Sequence, residues 1–180
     1  MRSLLSADPG AMAPVHPHVV ILSGGIGTRF WPASTPARPK QLLPLASDRP
    51  LVADTLERAR VLTRGSRIHF LAGAPMATAL RAGLPILPDE AFWLEPRGRG
   101  TGPALTWAAH QVAAADPEGI LVSLHADHRI GPLEAFRETV AGAVALAAAT
   151  DRLFTVAISP DRPETGFGWI RPGPRLEVEG

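Results

Sequence analysis

The sequence predicts an α/β fold in which helices flank a mostly parallel β-sheet. Short apolar runs alternate along the chain with segments whose apolar residues recur every three or four positions. The short runs are apolar at successive positions, which is typical of strands that are buried on both faces of a parallel sheet. Because strand and helix signals alternate, we expect the helices to cover both sides of this sheet.

Five strands are predicted from the apolar runs, at 19–22, 68–71, 92–94, 120–124 and 153–158. Helical spacing is clearest in three sets of residues: Val52, Leu56, Ala59 and Leu62; Leu105, Ala108 and Val112; and Leu133, Phe136, Val140 and Val144. Ligands of such folds bind beyond the carboxyl ends of the strands, so the loops that follow the strands are where a functional site is expected.

Length and composition indicate one domain. A chain of 180 residues with 46% hydrophobic residues can bury one core of ordinary size. We expect residues 1–17 to form a disordered leader, because they are too weakly apolar for a secretory signal, and the domain to occupy residues 18–180. No apolar run approaches the roughly 18 residues of a membrane span.

Charge and cysteine content exclude several classes of function. The formal net charge is +1, so no bulk field favours nucleic acid or an anionic membrane as a partner. The absence of cysteine excludes disulfides, thiolate metal sites and a cysteine nucleophile, and it fits a cytoplasmic location. Lys40 is the only lysine among 18 basic residues, which indicates a need for its compact charge, since an ammonium fits among phosphate oxygens.

The loop after the first strand has the composition of a phosphate-binding loop. Three glycines allow the backbone N–H groups to approach a phosphate, and Arg29 and Lys40 add countercharge. Four prolines between positions 32 and 44 predict an extended, stiff segment that holds Lys40 at a fixed distance. The alternative is a plain tight turn between a strand and a helix.

The string GGIGTRFWPASTPARPKQLLPL resembles the signature of mannose-1-phosphate guanylyltransferases. This resemblance implies a Rossmann-like fold of the nucleotide-diphospho-sugar transferase type, of which this chain would be the N-terminal portion of the nucleotidyltransferase domain. It also implies catalytic roles for Arg29, Lys40 and Asp127. In this loop the matching positions are Gly24, Gly25, Gly27, Thr28, Arg29, Trp31, Pro32, Ser34, Pro39, Lys40 and Gln41, and those implied to bind nucleotide are Gly24, Gly25, Gly27, Thr28, Arg29 and Lys40.

Two later loops are similar to further motifs of that family. In LEPRGRGTGPA the resemblance implies that Glu95, Arg99 and Thr101 surround the purine base, although Thr101 could instead cap a helix beginning near Gly102. In LHADHRI it implies that Asp127 is a ligand of Mg²⁺, the expected cofactor. The alternative is that this segment caps a helix starting near Pro132, and for His128 a structural role is expected. His125 stands where the family has proline.

The last motif, ISPDRPETGFGWI, is similar to the segment that approaches the sugar in that family. The resemblance implies sugar contacts from Glu164 and Gly168, and a β-hairpin is compatible with them.

The reaction implied by the resemblance is attack of a mannose 1-phosphate oxygen on the α-phosphorus of GTP, giving GDP-mannose and pyrophosphate. GTP and mannose 1-phosphate are therefore the expected partners. Family members are longer, and a Phe-x-Glu-Lys-Pro segment and a second acidic metal ligand are not found, so the domain is expected to be incomplete at its C-terminal side. Two alternatives stay open: an inactive or partner-dependent fragment that at most binds nucleotide, completed by a C-terminal half or a second copy, and a transferase for another sugar 1-phosphate.

Overall fold

The computed structural model describes residues 15–25, 27, 30–150 and 152–174. Within them strands and helices alternate: β1 (His18–Leu22), α1 (Leu51–Arg60), β2 (Ile68–Ala72), α2 (Ala74–Gly83), β3 (Phe92–Leu94), α3 (Thr101–Ala115), β4 (Leu121–His125) and α4 (Leu133–Ala149). Short 3-10 turns lie at Lys40–Leu42, Gly65–Arg67 and Asp89–Ala91. Most of the predicted leader, together with Thr28 and Arg29, lies outside the described residues.

The four strands form one parallel sheet in the order β3-β2-β1-β4. Leu22 at the end of β1 is in register with Leu71 of β2 and with His125 of β4. The carboxyl ends of the strands therefore meet at one edge of the sheet, and the loops that carry the predicted motifs leave from this edge.

Helices cover the two faces of the sheet unequally. Alternate residues of β1 and β2, such as Ile21 and Phe70, pack with α1, α2 and α4 in the larger hydrophobic cluster. Val20 and Leu71 point to the opposite face, where α3 covers them through Ala104 and the partly buried Trp107. The predicted helix-covered parallel sheet is thus confirmed, as are four of its five strands to within a residue at either end.

The prediction of a fifth strand at 153–158 is wrong. This segment has no regular structure, and the side chains of Leu153 and Ile158 are 102% and 88% exposed. An extended segment becomes a strand only when its backbone N–H and C=O groups pair with a neighbour. Within the described part of the chain β4 pairs with β1 alone, so the apolar composition of 153–158 finds no partner in this sheet.

The proline-containing loop also differs from the prediction. Residues 30–42 are compact rather than extended: a turn follows Phe30, Thr35 and Arg38 form an isolated antiparallel bridge, and a 3-10 turn begins at Lys40. Prolines fix φ near a value that turns and 3-10 helices share with extended chain, so they do not decide between them. Among the helices in the described ranges, none combines the length and apolarity that a membrane crossing requires.

Candidate active site

A buried glutamine holds the glycine loop against the rest of the domain. The side chain of Gln41 is 1% exposed, and its amide nitrogen donates to the carbonyl oxygens of Gly24 at 3.0 Å and Gly25 at 3.1 Å. Gly24 and Gly25 themselves are exposed, with no neighbouring atom within 4 Å of where a Cβ would stand. The turn after β1 is therefore anchored from inside while its outer surface stays open to a ligand. Sequence reasoning matched Gln41 to a motif but assigned it no function.

Gly27 and Lys40 are packed closely enough that only glycine fits at position 27. Gly27 has φ of +67°, and a Cβ there would lie 2.9 Å from both Cβ and Cγ of Lys40 and 2.9 Å from the hydroxyl of Ser34. Residues with a side chain rarely adopt this φ because it strains the backbone, and the steric overlap would add to that strain. The contact fixes the base of the Lys40 side chain beside the glycine loop, as predicted, although turns rather than an extended segment achieve it.

Lys40 reaches across the edge of the sheet to Asp127. Its ammonium donates a hydrogen bond to Asp127 Oδ2 and forms an ion pair with it, and both side chains are partly buried. The two residues are 87 positions apart in the chain, but β1 and β4 are adjacent in the sheet, so the loops after them meet. Two residues that the sequence implied to be catalytic are therefore in direct contact.

The ion pair favours the ionised form of the carboxylate. Partial burial by itself raises the pKa of Asp127, but the hydrogen bond and positive charge of Lys40 outweigh that effect, so the pKa is lowered. His128 is exposed at the surface, but partial desolvation of its imidazole lowers its pKa, and the neighbouring His125 acts in the same direction. The edge thus presents a carboxylate that favours its ionised form, paired with Lys40, and an imidazole that favours its neutral form.

Helix α1 supports the segment after β4 from below. Arg58 is 5% exposed, and its guanidinium donates to the backbone oxygen of His128 at 2.6 Å and to the hydroxyl of Thr55 at 2.6 Å. The Thr55 hydroxyl lies 3.4 Å from the backbone oxygen of His125. Burial lowers the pKa of Arg58, although Asp54 partly offsets this. Sequence reasoning missed Arg58, and the available signal was an arginine between apolar residues on the buried face of α1.

The capping alternative for Asp127 and His128 is wrong. Helix α4 starts at Leu133 with Pro132 at its N-cap, and no side chain caps it by a hydrogen bond. Asp127 is instead engaged by Lys40. Its position at the end of β4 follows the prediction for a ligand-binding carboxylate.

The loop after β3 starts at the same edge, two strands away from β1. Glu95 extends the sheet through its backbone N–H, which donates to Ala72 at 2.9 Å. Arg99 and Thr101 are exposed. The capping alternative for Thr101 is wrong, because Thr101 is the first residue of the helix and the N-cap is Gly100, with φ of +91° and ψ of 176°. Only glycine adopts that conformation readily, so the backbone rather than a side chain begins this helix.

The segment carrying Glu164 and Gly168 forms a local turn without the β-hairpin considered above. The carboxylate of Glu164 accepts a hydrogen bond from the N–H of Gly166 at 3.0 Å, and its backbone oxygen accepts one from the Trp169 indole at 2.9 Å. Gly168 is exposed, with open space around the site of a Cβ. These contacts are internal to the segment, so they do not bring it to Lys40 and Asp127.

Comparison with known proteins identifies the family of this chain. The chain belongs to the nucleotidyl transferase family, whose model matches residues 18–180. It is 36% identical over 171 residues to the mannose-1-phosphate guanylyltransferase of Escherichia coli K12, a match that covers 90% of this chain and 34% of that protein. The mannose-1-phosphate guanylyltransferase ManC of Salmonella typhimurium is 38% identical over 165 residues, covering 86% of this chain and 32% of the relative.

Other relatives bear different names. The xanthan biosynthesis protein XanB of Xanthomonas campestris pv. campestris is 36% identical over 161 residues, a match that covers 86% of this chain and 33% of that protein. A crystal structure from Thermus thermophilus, described as a mannose-1-phosphate geranyltransferase, superimposes with a TM-score of 0.63 at 35% identity, covering 75% of this chain and 38% of that chain. The chain thus spans about a third of the length of the curated relatives it matches.

Proposed function

We propose that this chain binds GTP at the edge formed by the loops after β1 and β4 and takes part in guanylyl transfer to mannose 1-phosphate. The products are GDP-mannose and pyrophosphate. The observation that supports the proposal most strongly is the contact between Lys40 and Asp127 beside the open glycine loop. It brings together a cation, a carboxylate and exposed backbone at one place.

The chemistry requires alignment and charge stabilisation more than proton transfer. An oxygen of mannose 1-phosphate forms a bond to the α-phosphorus of GTP, while the bond between the α-phosphorus and the oxygen bridging to the β-phosphate breaks and pyrophosphate leaves. The second pKa of a phosphate monoester is about 6, so the attacking oxygen is already largely ionised at neutral pH. The protein must hold two anions together and stabilise the leaving group.

Each candidate residue has a place in this scheme. Lys40 neutralises the attacking phosphate and the α-phosphate, and the glycine loop provides N–H groups for the departing phosphates. Arg29 is assigned to the same departing phosphates from its motif alone, because it lies outside the described residues. Glu95, Arg99 and Thr101 are proposed to contact the base, and Glu164 and Gly168 the sugar.

The carboxylate of Asp127 fits a Mg²⁺ site. Mg²⁺ in nucleotide enzymes is usually held by one or two carboxylates together with substrate phosphates and water. Asp127 is an ionised carboxylate at the strand end, beside the loop proposed to carry those phosphates. When bound, the ion would supply positive charge to the phosphate oxygens.

The test is the release of pyrophosphate from GTP with Mg²⁺, measured with and without mannose 1-phosphate. We expect pyrophosphate release that depends on mannose 1-phosphate. The rate of release should fall at least about 100-fold in Lys40→Ala, because an electrostatic contact in a transition state is commonly worth that much. The rate in Arg38→Ala should be near normal. Arg38 is an exposed cation two residues away and serves as the matched control. A normal rate in Lys40→Ala would refute the role of Lys40. Faster pyrophosphate release with another nucleotide or another sugar 1-phosphate would identify that compound as the substrate in place of GTP or mannose 1-phosphate.

A second candidate is favoured by the exposed apolar side chains of residues 153–170. Ile158, Phe167 and Trp169 are 88%, 70% and 58% exposed. Contiguous exposed apolar surface commonly marks a site of interaction with another polypeptide. Under this candidate the chain binds GTP alone but transfers the guanylyl group only with a complementing polypeptide. GTP binding without pyrophosphate release, followed by release on addition of such a polypeptide, would support it.

A further inference from the structure

Three side chains of the segment after β4 form a cluster with metal-ligating atoms. One donor atom each from His125, Asp127 and His128 can be chosen so that all three lie within 4.8 Å of one another. His125 and His128 are exposed, and their rings stack with centroids 4.7 Å apart. Asp127 lies between them in sequence and is partly buried.

We propose that His125, Asp127 and His128 bind a divalent transition-metal ion of the zinc and cobalt class. Imidazole nitrogen suits Zn²⁺, Co²⁺ and Ni²⁺, whereas Mg²⁺ prefers oxygen ligands only. Two imidazoles and one carboxylate, with further positions left to water or phosphate, form a ligand set typical of open transition-metal sites. His125 supplies the donor that separates this set from a simple carboxylate site.

The backbone of the cluster is held in place, and its two imidazoles are exposed. Arg58 donates to the backbone oxygen of His128, and the N–H of Ala126 donates to Leu22 at 3.1 Å. With metal–ligand distances of about 2.0–2.1 Å, tetrahedral ligands lie about 3.3 Å apart. The donor atoms must therefore approach by at most about 1.5 Å, which rotation of two exposed imidazoles can supply.

The ammonium of Lys40 competes with the metal. It occupies Oδ2 of Asp127, so an incoming cation must displace it or bind the other carboxylate oxygen. Metal binding would then release Lys40 toward an anionic ligand, and by linkage the removal of Lys40 should tighten metal binding. The variant Lys40→Met is expected to bind Zn²⁺ more tightly than the wild type, because Asp127 loses its competing partner.

The proposal shares Asp127 with the proposed transferase site but requires neither nucleotide nor turnover. The experiment is therefore done on the full chain without nucleotide, by calorimetric titration with Zn²⁺ and by the visible absorption of Co²⁺. We expect one equivalent of Zn²⁺ to bind and not to be displaced by millimolar Mg²⁺. Loss of an outer partner alone commonly costs about 10–100-fold in metal affinity, so His125→Ala and His128→Ala should each weaken binding at least tenfold.

His110→Ala is the matched control, because His110 is exposed on α3 and outside the cluster. It should leave the affinity unchanged. Far-UV circular dichroism verifies that each variant is folded, and His125→Gln replaces His125→Ala if the latter is not. Equal affinity in the wild type and both cluster variants, or absence of Zn²⁺ binding, would overturn the proposal. Mg²⁺-dependent GTP binding would survive that result, so the two proposals fail separately.

Discussion

The three glycines of the loop after β1 differ in what an added methyl group would meet. At Gly24 the φ angle is outside the positive range and the surrounding space is open. At Gly25 the space is open, but φ is +85°. At Gly27 φ is +67° and the methyl carbon would lie 2.9 Å from Lys40 and Ser34. Alanine at these positions therefore separates backbone strain from steric overlap.

The expected changes in the free energy of unfolding follow from these differences. Gly24→Ala should be neutral or stabilising by up to about 1 kcal/mol, because alanine reduces the entropy of the unfolded chain. Gly25→Ala gains the same term but loses about 1–2 kcal/mol to the left-handed conformation. Gly27→Ala loses a further 1–3 kcal/mol or so, since Lys40 and Ser34 must move to accommodate the methyl group.

Urea unfolding of the three variants, followed by circular dichroism and compared with the wild type, measures this series. The expected order of stability is Gly24→Ala, then Gly25→Ala, then Gly27→Ala, with the last two separated by at least about 1 kcal/mol. A Gly27→Ala variant as stable as Gly24→Ala would refute the close packing of Lys40 against the glycine loop.

Two further predictions concern His69 on β2 and Arg58 on α1. Burial, aided by the charge of His18, lowers the pKa of His69 from 6.5 to about 4. Between these pH values the unfolded chain binds the proton more readily than the folded chain, so stability falls as the pH is lowered. The loss in the free energy of unfolding is at most about 3 kcal/mol. Urea unfolding from pH 7 to 4 should show a smaller loss in His69→Phe than in the wild type. An equal dependence of stability on pH in the two proteins would contradict this. Arg58→Met should cost about 1–3 kcal/mol, because the backbone oxygen of His128 loses a buried donor, whereas the exposed Arg60→Met should cost about 0.5 kcal/mol or less. Equal losses for these two arginine variants, measured by urea unfolding, would show that Arg58 does not support the segment after β4.

The sequence predicts the helix-covered sheet well because its signals are local. A run such as Val19 to Leu22 is apolar at every position, and the parallel sheet buries it on both faces. The fifth strand fails for the opposite reason, since 153–158 has a strand's composition but no neighbour to pair with among the described residues. Strand formation depends on a partner that composition does not reveal.

The site is predictable in its parts but not in its contacts. Motifs identify Lys40 and Asp127 separately, and the rule that ligands bind at strand ends places both at one edge. Their direct pairing depends on β4 lying next to β1, which the order of elements along the chain does not specify. The sequence does not predict the support from Arg58, because a buried arginine is unusual on an apolar helix face. Its burial is explained by the hydrogen bond to the backbone oxygen of His128, which the sequence does not reveal.

The most direct test of the central claim is a calorimetric titration of GTP into the chain in the presence of Mg²⁺. We predict saturable binding with one GTP per chain, weakened at least about tenfold in Lys40→Ala and unchanged in Arg38→Ala. Lys40 packs beside Gly27 and pairs with Asp127, whereas Arg38 is exposed. Absence of saturable binding to the wild type, or equal affinity in Lys40→Ala, would contradict a nucleotide site at this edge of the sheet.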